Sequence, residues 1–481
     1  MLNLNLTDRS AQPSYMQLYT QIRDQIRSGG IPYGSRLPSV RSLMQQLSIS
    51  KTTVESAYQI LLAEGYAVSR PRSGLYVTNP FGVAKPAKST AELLPTPKQP
   101  LQLQVFPADD CYRIDFRPSA VDEQLFPMRS WRKVLHEALD HSQGKINKYG
   151  DPQGEYAFRS VLAEYLRNSR GVVCVPEQIV VGTGIHYSVG ILAKLFAAGI
   201  DHIAFEEPGF APVREHFIQY GFQVSPIEVR DNGISLEGLE NSGAQAVYIT
   251  PSHQFPTGSV MPYPERERLL HWAQTRDAYI IEDDYDGEFR YFVKPLPSLQ
   301  GLDRDGRVIY IGTFSKAFTP ALRMNYLVLP LILIEKMRQV QYLFDGPSRI
   351  DQWAMQSFIE QGHWYRHIRR MRKTYGKKHH RFIELIRTHL GERVQITGHN
   401  AGLHVQLTVN TRQTSDVLVK LAAEEGVKIY DLQEMRMRPR PPGDPQIYLG
   451  FGGVHEKEME EGIRLIKKSW EGLWNKEKER N

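Results

Sequence analysis

The chain is 481 residues long, of which 41% are hydrophobic and 23% charged, a composition typical of globular proteins. It contains no apolar run of about 20 residues and no signal-peptide pattern, so we expect neither a membrane span nor export. Its two cysteines, Cys111 and Cys174, are too few for a disulfide framework or a zinc site, which favours a cytoplasmic location and no metal.

The net charge of +6 is concentrated near the N-terminus. Residues 1–80 contain eight Lys or Arg and four Asp or Glu, so one-sixth of the chain carries a charge of +4. Such a basic segment indicates polyanion binding, although a solvated basic face would have the same composition.

Three helices and a hairpin are predicted in this segment. The first helix should end at Gly29-Gly30, and the second should begin at Pro38, whose missing N–H is harmless in a first turn. The third should follow Ser50 as its N-cap and stop before Gly65. The residues predicted to be buried by the three helices are Tyr15, Leu18, Tyr19, Ile22, Ile26, Val40, Leu43, Leu47, Val54, Ala57, Tyr58, Leu61 and Leu62. Residues 66–77 consist of two short β-like runs around a turn, which predicts a hairpin.

A third helix that exposes hydroxyl groups and a lysine in its first turn suits docking into the major groove of DNA, although Ser and Thr also cap helices for structural reasons. The order Leu37-Pro-Ser-Val-Arg41, Ser50-Lys-Thr-Thr-Val54 and a wing glycine at Gly74 resembles a GntR winged helix over residues 12–78. The resemblance implies that the following residues contact DNA: Arg41, Ser50, Lys51, Thr52, Thr53, Arg70 and Arg72.

Residues 79–111 contain six prolines among Lys, Gln, Thr and Ala, which predicts a semi-extended linker. From residue 112 to about 475, short apolar runs alternate with helical segments. This alternation predicts a mostly parallel sheet with helices on both faces and ligands at the carboxyl ends of the strands. The predicted strands are 178–181, 202–205, 246–249, 278–281, 308–311 and 326–329, and a smaller α/β subdomain from about 335 should contain 403–409, 427–430 and 446–451.

Polar motifs follow these strands directly. Lys316 lies just after strand 308–311, where partial burial would let its amine form an imine with an aldehyde cofactor, whereas an isolated lysine there would be a surface residue. Asp283 ends the preceding strand, where a carboxylate can keep a pyridine nitrogen protonated; a helix cap or surface salt bridge is its alternative role. Tyr285 could donate its hydroxyl to the oxygen of the same ring.

A phosphate site is predicted beside Lys316. Arg323 supplies a cation, and Thr313 and Ser315 lie among the small residues before Lys316. Thr183, Gly184 and Ile185 open a helix, whose first N–H groups form an anion site. Phe210 is a candidate stacking ring, with a core aromatic as an equal alternative. Together these groups point to pyridoxal 5′-phosphate (PLP).

The order of these motifs resembles fold-type I aspartate aminotransferases. With the winged helix, it resembles the MocR/GabR family of bacterial transcriptional regulators over essentially the whole chain. In the run 250–258, Phe255 occupies the place where aminotransferases usually have an Asn bound to the cofactor's ring oxygen, and His253 or Gln254 would substitute for it. Tyr149 resembles the tyrosine that reaches the phosphate of the partner subunit, with an ordinary loop tyrosine as the alternative.

The resemblance also implies a carboxylate-binding arginine near the last strand. Arg436, Arg438 and Arg440 are the candidates, and a solvated loop is equally compatible with the cluster. The family implies a homodimer, with a head-to-tail exchange of the small domains.

Two functions remain open from the sequence. The first is a PLP-dependent regulator that binds promoter DNA and senses an amino compound or PLP itself, without net turnover. The second is an active aminotransferase with an accessory DNA-binding domain. The cofactor site does not separate them, but the winged helix favours the regulator.

Overall fold

The structure is a computed structural model, and it describes Leu4, Leu6 and residues 12–78, 112–291, 297–340, 346–399, 401–439 and 443–478. The predicted linker 79–111 and Arg440 lie outside these residues. The chain divides into two compact units, Met1–Val105 and Phe106–Asn481.

The first unit contains three helices and a two-stranded antiparallel hairpin. The elements are α1 (Ser14–Arg27), α2 (Val40–Leu47), α3 (Lys51–Ala63), β1 (Ala67–Arg70) and β2 (Gly74–Val77). Their apolar faces pack into one core around Leu18, Ile22, Leu43 and Leu61, all fully buried. Ser50 caps α3, because its Oγ accepts the backbone N–H of Thr53 at 3.2 Å.

Two details of the predicted helices are wrong. The second helix begins at Val40 rather than Pro38, because Ser39 is its N-cap and accepts the N–H of Ser42 at 3.1 Å. Leu62 and Tyr15 are exposed rather than buried. Leu62 is one position beyond Leu61, which rotates it about 100° away from the buried face.

The second unit is built on an eight-stranded sheet with the order β4-β11-β10-β9-β8-β5-β6-β7. The strands are β4 (Ile179–Gly182), β5 (His202–Glu207), β6 (Gln223–Arg230), β7 (Gly233–Ile234), β8 (Ala246–Ile249), β9 (Tyr279–Asp284), β10 (Val308–Thr313) and β11 (Asn325–Val328). Six strands run in one direction, while β11 and β7 are antiparallel to their neighbours. The sheet is therefore mostly parallel, as predicted.

Helices cover both faces of this sheet. The helices of the unit are α4 (Met128–Asp140), α5 (Tyr156–Arg170), α6 (Ile185–Phe196), α7 (Ala211–Gln219), α8 (Leu236–Ser242), α9 (Tyr263–Thr275), α10 (Leu331–Val340), α11 (Arg349–Glu360), α12 (His363–Leu390), α13 (Ser415–Glu424) and α14 (Glu456–Lys478). Successive residues of β5 show the two faces, since Ile203 packs with the core under α6 and α7 while Ala204 packs with the core under α8 and α9. None of the described helices is long and apolar enough to cross a membrane.

A smaller antiparallel sheet has the order β12-β13-β16-β15, with strands β12 (Val394–Thr397), β13 (His404–Val409), β15 (Tyr430–Asp431) and β16 (Gln446–Gly450). The predicted strand 427–430 is wrong as one element. Its first half, β14 (Val427–Lys428), pairs in parallel with β3 (Ile114–Asp115), and its second half belongs to β15. Ile114 and Asp115, among the first described residues of the second unit, thus pair with its C-terminal part.

Candidate functional site

A cavity of about 510 Å³ lies at the carboxyl ends of the central strands. Thr250 follows β8, Asp283 is the last but one residue of β9 and Tyr285 directly follows that strand, and Lys316 follows β10. Neighbouring parallel strands therefore bring all four residues to one place. Residues of β13 and β16 line the cavity as well. The sheet order therefore explains why residues distant in sequence converge.

Lys316 is partly buried and lines this cavity, and its Nζ donates to the carbonyl oxygen of Pro118 at 2.9 Å. Burial lowers the pKa of the Lys316 amine to about 8, and the opposing attraction of Asp286 is smaller. A larger fraction of this amine is therefore neutral at pH 7 than of an ordinary lysine, and the neutral amine is the nucleophile.

Asp283 accepts a hydrogen bond from the hydroxyl of Tyr248 and lies beside other carboxylates of the same segment. Burial, with repulsion from Asp284 and Asp286, raises the pKa of Asp283 to about 7 although the Tyr248 bond lowers it. A cationic ligand at this point would favour the charged carboxylate. The site is thus suited to a protonated ring nitrogen.

The neighbouring carboxylates are held by structural contacts. Asp284 pairs with Arg170 and accepts the hydroxyl of Tyr310 at 2.7 Å. Burial alone would raise the pKa of Asp284, but Arg170 and Tyr310 outweigh it and the pKa is lowered. Glu282 accepts the backbone N–H groups of Leu299 and Gln300, both at 2.8 Å. These contacts fix β9, which presents Asp283 between them.

The opposite end of the cavity is built around Gly184, the N-cap of α6 with φ 124°. A Cβ at this position would overlap the guanidinium of Arg323, so only glycine lets Arg323 approach the start of the helix. Gly184 donates its N–H to Asn325 Oδ1 at 3.0 Å, and Asn325 Nδ2 donates to Ser188 at 2.7 Å. A cation and a helix N-terminus therefore meet here, which is the donor set that a phosphate requires.

Nine predicted site residues line the cavity together: Gly184, Ile185, Phe210, Asp283, Tyr285, Thr313, Ser315, Lys316 and Arg323. Thr313 Oγ1 lies 3.1 Å from Ser315 Oγ. Phe210 meets Phe255 edge to face at 5.5 Å between ring centroids, and Phe255 itself lines the cavity.

The structure does not bring the other predicted residues to the lining. Gln254 is buried, but its Nε2 donates to the Pro208 carbonyl at 2.9 Å and its side chain braces the 250–258 loop. Thr183 is also outside the lining. Tyr149 is fully exposed in the single chain. His253 lies behind Tyr285, with its Nδ1 2.8 Å from both Tyr285 Oη and Asp286 Oδ2.

Arg436 and Arg438 do not line the cavity either. Their loop packs on Glu207, which accepts the backbone N–H of Met437 at 3.0 Å and that of Arg438 at 3.2 Å. The backbone of this segment is therefore committed to a structural contact.

The polar or aromatic lining residues that sequence reasoning missed include Arg117, Asn325, His404, Lys428, Tyr430 and Tyr448. Asn325 lies two residues after Arg323, which the sequence analysis did assign to the site. The others arrive through β3, β13, β14, β15 and β16, whose pairing is not visible in the sequence.

The candidate DNA-binding residues belong to the first unit. Six of the seven are exposed, and Thr53 is partly exposed. Ser50 Oγ lies 2.8 Å from the hydroxyls of Thr52 and Thr53, so these groups are clustered at the start of α3. On the wing, the Arg70 guanidinium lies 4.4 Å from the centre of the Tyr76 ring, and Arg72 occupies the turn with φ 61°.

Comparison with known proteins agrees with both units. Residues 119–464 match the family of class I and II aminotransferases, and residues 14–77 match the gntR family of bacterial regulatory proteins. The chain is 33% identical to the probable rhizopine catabolism regulatory protein MocR of Rhizobium meliloti, over 97% of this chain and 96% of that protein. The chain belongs to the MocR family of HTH-type transcriptional regulators. Its cofactor is PLP, and its winged helix binds promoter DNA.

Other relatives and one solved structure extend this likeness. The uncharacterised regulator YdeL of Bacillus subtilis is 40% identical over 95% of this chain and 97% of its own length. The pyridoxine biosynthesis regulator PdxR of Corynebacterium glutamicum is 30% identical, with 92% and 93% covered. The kynurenine aminotransferase of Pyrococcus horikoshii superposes with a TM-score of 0.68 at 25% identity, over 75% of this chain and 91% of that one. The aminotransferase likeness thus concerns the second unit alone.

Proposed function

We propose that this MocR-family regulator senses a small amino compound, or PLP itself, in the cavity of its second unit and changes its affinity for promoter DNA in response. The observation that supports this proposal best is that the partly buried Lys316 lines one cavity with Asp283 and Arg323, in a chain whose other unit is a winged helix of the gntR family. In this proposal, ligand binding in the cavity regulates DNA binding and does not serve to release a product.

The residues of the cavity have separate roles in this proposal. Lys316 binds the cofactor covalently, Asp283 keeps the ring nitrogen protonated, and Tyr285 donates to the ring oxygen. Phe210 stacks on the ring. The phosphate is held by Arg323, by the hydroxyls of Thr313 and Ser315, and by the first N–H groups of α6. PLP supplies an aldehyde that primary amines attack and a ring that withdraws electrons.

An effector amine would compete with the Lys316 amine for the aldehyde carbon of PLP. The Nζ of Lys316 already contacts the Pro118 carbonyl, so a released lysine has an acceptor within the cavity. We propose that this exchange changes the relative weights of two arrangements of the protein, and DNA affinity follows by linkage.

We propose that α3 contacts DNA through its N-cap and first turn, which contain Ser50, Lys51, Thr52 and Thr53. Arg41 on α2 and the wing residues Arg70 and Arg72 would add further contacts. Their exposure and their clustering at a helix N-terminus support this assignment. Because promoter DNA lies in the bacterial cytoplasm, we propose that the protein acts there.

We further propose a head-to-tail homodimer, joined through the second unit. The segment 128–156 exposes large apolar side chains, among them Met128, Ile146 and Tyr156, which favours burial against another subunit. Tyr149 would reach the phosphate site of the partner, and its complete exposure in one chain is compatible with that role. Sedimentation equilibrium at micromolar concentration tests this, and a monomeric mass contradicts it.

The proposed sensor function is tested by measuring whether effector binding and promoter binding are coupled. Promoter binding is measured by fluorescence anisotropy while amines, amino acids or free PLP are added to the PLP-loaded protein, and cofactor absorbance is recorded in parallel. A true effector changes both signals over the same concentration range, and promoter DNA changes the apparent affinity for that effector by the same factor. An absorbance change with constant DNA affinity contradicts the sensor.

A second candidate is an active aminotransferase with an accessory DNA-binding unit. The superposition on a kynurenine aminotransferase favours it, because the same groups serve binding and turnover. The discriminating measurement is stoichiometry. More than one equivalent of oxo acid released per subunit, in the presence of an acceptor oxo acid, indicates turnover, whereas at most one equivalent indicates the sensor.

A further inference from the structure

The two residues from which a donor to the cofactor's ring oxygen was expected, His253 and Gln254, do not line the cavity. Gln254 makes hydrogen bonds to Phe255 and Thr257 in its own loop. Phe255, the next residue, lines the cavity with an apolar ring and meets Tyr285 edge to face at 5.9 Å between ring centroids. The Tyr285 hydroxyl is therefore the donor at this corner of the cavity, and the direction of its hydrogen is decided by what lies behind it.

His253 and Asp286 form a buried pair behind Tyr285. Both side chains are almost completely removed from solvent. His253 Nδ1 lies 2.8 Å from Asp286 Oδ2 and also 2.8 Å from Tyr285 Oη. The imidazole and phenol rings are stacked with 5.8 Å between their centroids. One ring nitrogen therefore faces two oxygens at hydrogen-bond distance.

The carboxylate determines where the imidazole carries its hydrogen. An ionised carboxylate only accepts hydrogen bonds, so the short contact with Asp286 requires a hydrogen on Nδ1 of His253. Nε2 of the same ring is buried and has no hydrogen-bond partner among the described residues, so a hydrogen on Nε2 would be left without an acceptor there. Both observations favour the tautomer that carries its hydrogen on Nδ1.

This tautomer leaves the hydrogen of the Tyr285 hydroxyl for the cavity. Tyr285 Oη meets an N–H group of His253 rather than a lone pair, so Oη can accept from Nδ1 but cannot donate to it. Burial and repulsion from Asp286 and Asp283 raise the pKa of the Tyr285 phenol well above its ordinary value, so the phenol keeps its hydrogen. The opposite tautomer would accept that hydrogen and withdraw it from a ligand.

Close packing fixes the imidazole in this position. Gly402, which precedes β13, has φ 73°, and a Cβ there would overlap His253 Cε1 and Asp286 Oδ2. His404, the first residue of β13, packs against His253 with 5.1 Å between ring centroids. The smaller sheet therefore closes the pair off on this side, and the imidazole is held in one orientation before a ligand arrives.

We propose that His253, held by Asp286, is a positioning residue that directs the hydroxyl hydrogen of Tyr285 into the cavity, toward the ring oxygen of the cofactor. His253 acts through Tyr285 and does not touch the cofactor. This inference rests on the proposed function, since it requires the cofactor role that the proposal gives to Tyr285.

Asparagine and leucine provide a matched pair of substitutions. Asparagine Nδ2 is bonded to Cγ, as Nδ1 is in histidine, so His253→Asn keeps an N–H donor between Asp286 and Tyr285. Leucine has the same branching as asparagine but no donor. The readout is the ratio of the long- to the short-wavelength absorbance band of the PLP-loaded full-length protein, which responds to hydrogen bonding at the ring oxygen.

His253→Leu should shift this band ratio in the same direction as Tyr285→Phe, whereas His253→Asn should stay close to the wild type. His253→Leu should also raise the dissociation constant for PLP by about 3- to 10-fold, the scale of one neutral hydrogen bond. Borohydride trapping checks that each variant is loaded. If His253→Leu does not bind PLP, His253→Gln takes its place, since its amide lies one carbon further from Cβ. A wild-type band ratio in the donor-free variant would overturn the inference.

A double-variant cycle tests whether His253 acts through Tyr285. The band ratio of His253→Leu/Tyr285→Phe should equal that of Tyr285→Phe alone, because no hydroxyl hydrogen is left to direct. Additive shifts would mean that His253 acts independently, and the inference would be wrong.

The tautomer is tested without the cofactor. NMR of the apoprotein with isotope-labelled histidine should assign the Nδ1–H form to the signal that disappears in His253→Asn. An Nε2–H form for that signal contradicts the inference.

His202→Leu is the matched control. His202 is also buried, and its Nε2 lies 2.8 Å from a hydroxyl, that of Ser225. It is the first residue of β5 and therefore lies at the end of the strand away from the cavity. This variant should keep the wild-type band ratio and PLP affinity. A shift equal to that of His253→Leu would show that the loss of any buried histidine disturbs the cofactor, which would refute a specific role for His253.

Promoter binding separates this inference from the proposed function. If the His253 and Tyr285 variants behave as expected but no added amine, amino acid or PLP changes DNA affinity, the positioning role stands and the sensor is wrong. If an effector changes DNA affinity in the wild type while His253→Leu has a wild-type band ratio, the sensor stands and the positioning role is wrong.

Discussion

The two units of this chain carry their functional groups in opposite environments. In the first unit, Arg41, Lys51 and Arg72 are exposed, and the described core of the unit consists of aliphatic side chains and tyrosines. In the second unit, Asp283 is buried and Lys316 is partly buried, and desolvation moves both pKa values toward neutrality, to about 7 and about 8. The cations of the first unit are solvated and fully charged. In the second unit, the ionisation of Asp283 and Lys316 depends on the ligand beside them.

This difference determines how each unit responds to its surroundings. Exposed cations bind phosphates by releasing counterions, so their contribution depends on salt. Buried groups are insulated from salt but sensitive to protonation and to any charged neighbour. The DNA-binding unit should therefore be tuned by ionic strength and the cofactor unit by pH.

Replacing Lys316 by Ala should have the largest effect, because it removes the amine that we expect to hold the cofactor. The protein should lose its yellow absorbance band and any adduct that borohydride fixes. Mass spectrometry after reduction checks this. Lys336→Ala, an exposed lysine of the same unit, should keep the adduct. A reducible adduct surviving in Lys316→Ala would show that another lysine is the attachment point.

Replacing both Arg41 and Lys51 by Ala should weaken promoter binding roughly 100-fold at physiological salt and lower the salt slope by about two, since two phosphate contacts are removed. The cofactor spectrum should not change. The control Arg369→Ala/Lys373→Ala removes the same charge from the exposed surface of α12. Equal losses in both double variants would mean that general charge, rather than the winged helix, binds the promoter.

Asp283→Asn should reduce PLP affinity about 10- to 100-fold, because it removes the charged partner of the ring nitrogen. Equilibrium dialysis against PLP measures the effect, and circular dichroism monitors the fold. Asp231→Asn, in an exposed turn, should bind PLP normally. Wild-type affinity and spectrum in Asp283→Asn would remove this residue from the cofactor site.

The rate of PLP uptake by the apoprotein should rise roughly tenfold between pH 7 and pH 9. Only the neutral amine attacks the aldehyde, and a lowered pKa of about 8 makes its neutral fraction grow through this interval. Stopped-flow absorbance measures the rate. A rate that still climbs steeply at pH 10 would indicate a lysine with an ordinary pKa, and the contrast in burial between the two units would lose its main consequence.

Ser50→Ala should lower the free energy of unfolding of the first unit by about 1 kcal/mol, because its Oγ caps α3. Urea denaturation followed by hydrogen exchange in residues 12–78 gives the value. Thr52→Ala, two residues further on, should weaken DNA binding with little loss of stability. Equal destabilisation by both would mean that the exposed hydroxyls act as one structural cluster.

The sequence predicted most of what depends on local order. Ser50 as an N-cap follows from its position before an apolar-periodic run, and Asp283 and Lys316 follow from strand ends that a parallel sheet must bring together. Local patterns did not predict the burial of single residues at the edge of a helix face. Leu62, for example, continues an apolar run but is exposed to solvent.

The missed half of the cavity has a different cause. Arg117 and Lys428 are far apart in the sequence and meet because β3 pairs with β14, two strands of two residues each. Neither strand has a hydrophobic pattern long enough to predict. Gln254 shows the converse. The run 250–258 does reach the cavity, but the Gln254 side chain makes hydrogen bonds within its own loop, and only the tertiary structure determines this.

The pairing of β3 with β14 also places the start of the described second unit beside the ligand cavity. Residues 112–116 are all that separate the predicted linker from Arg117, so one wall of the ligand cavity is nearly the first part of the second unit that the polypeptide enters. A ligand that contacts the Arg117 side of the cavity would therefore touch the part of the second unit that directly follows the predicted linker.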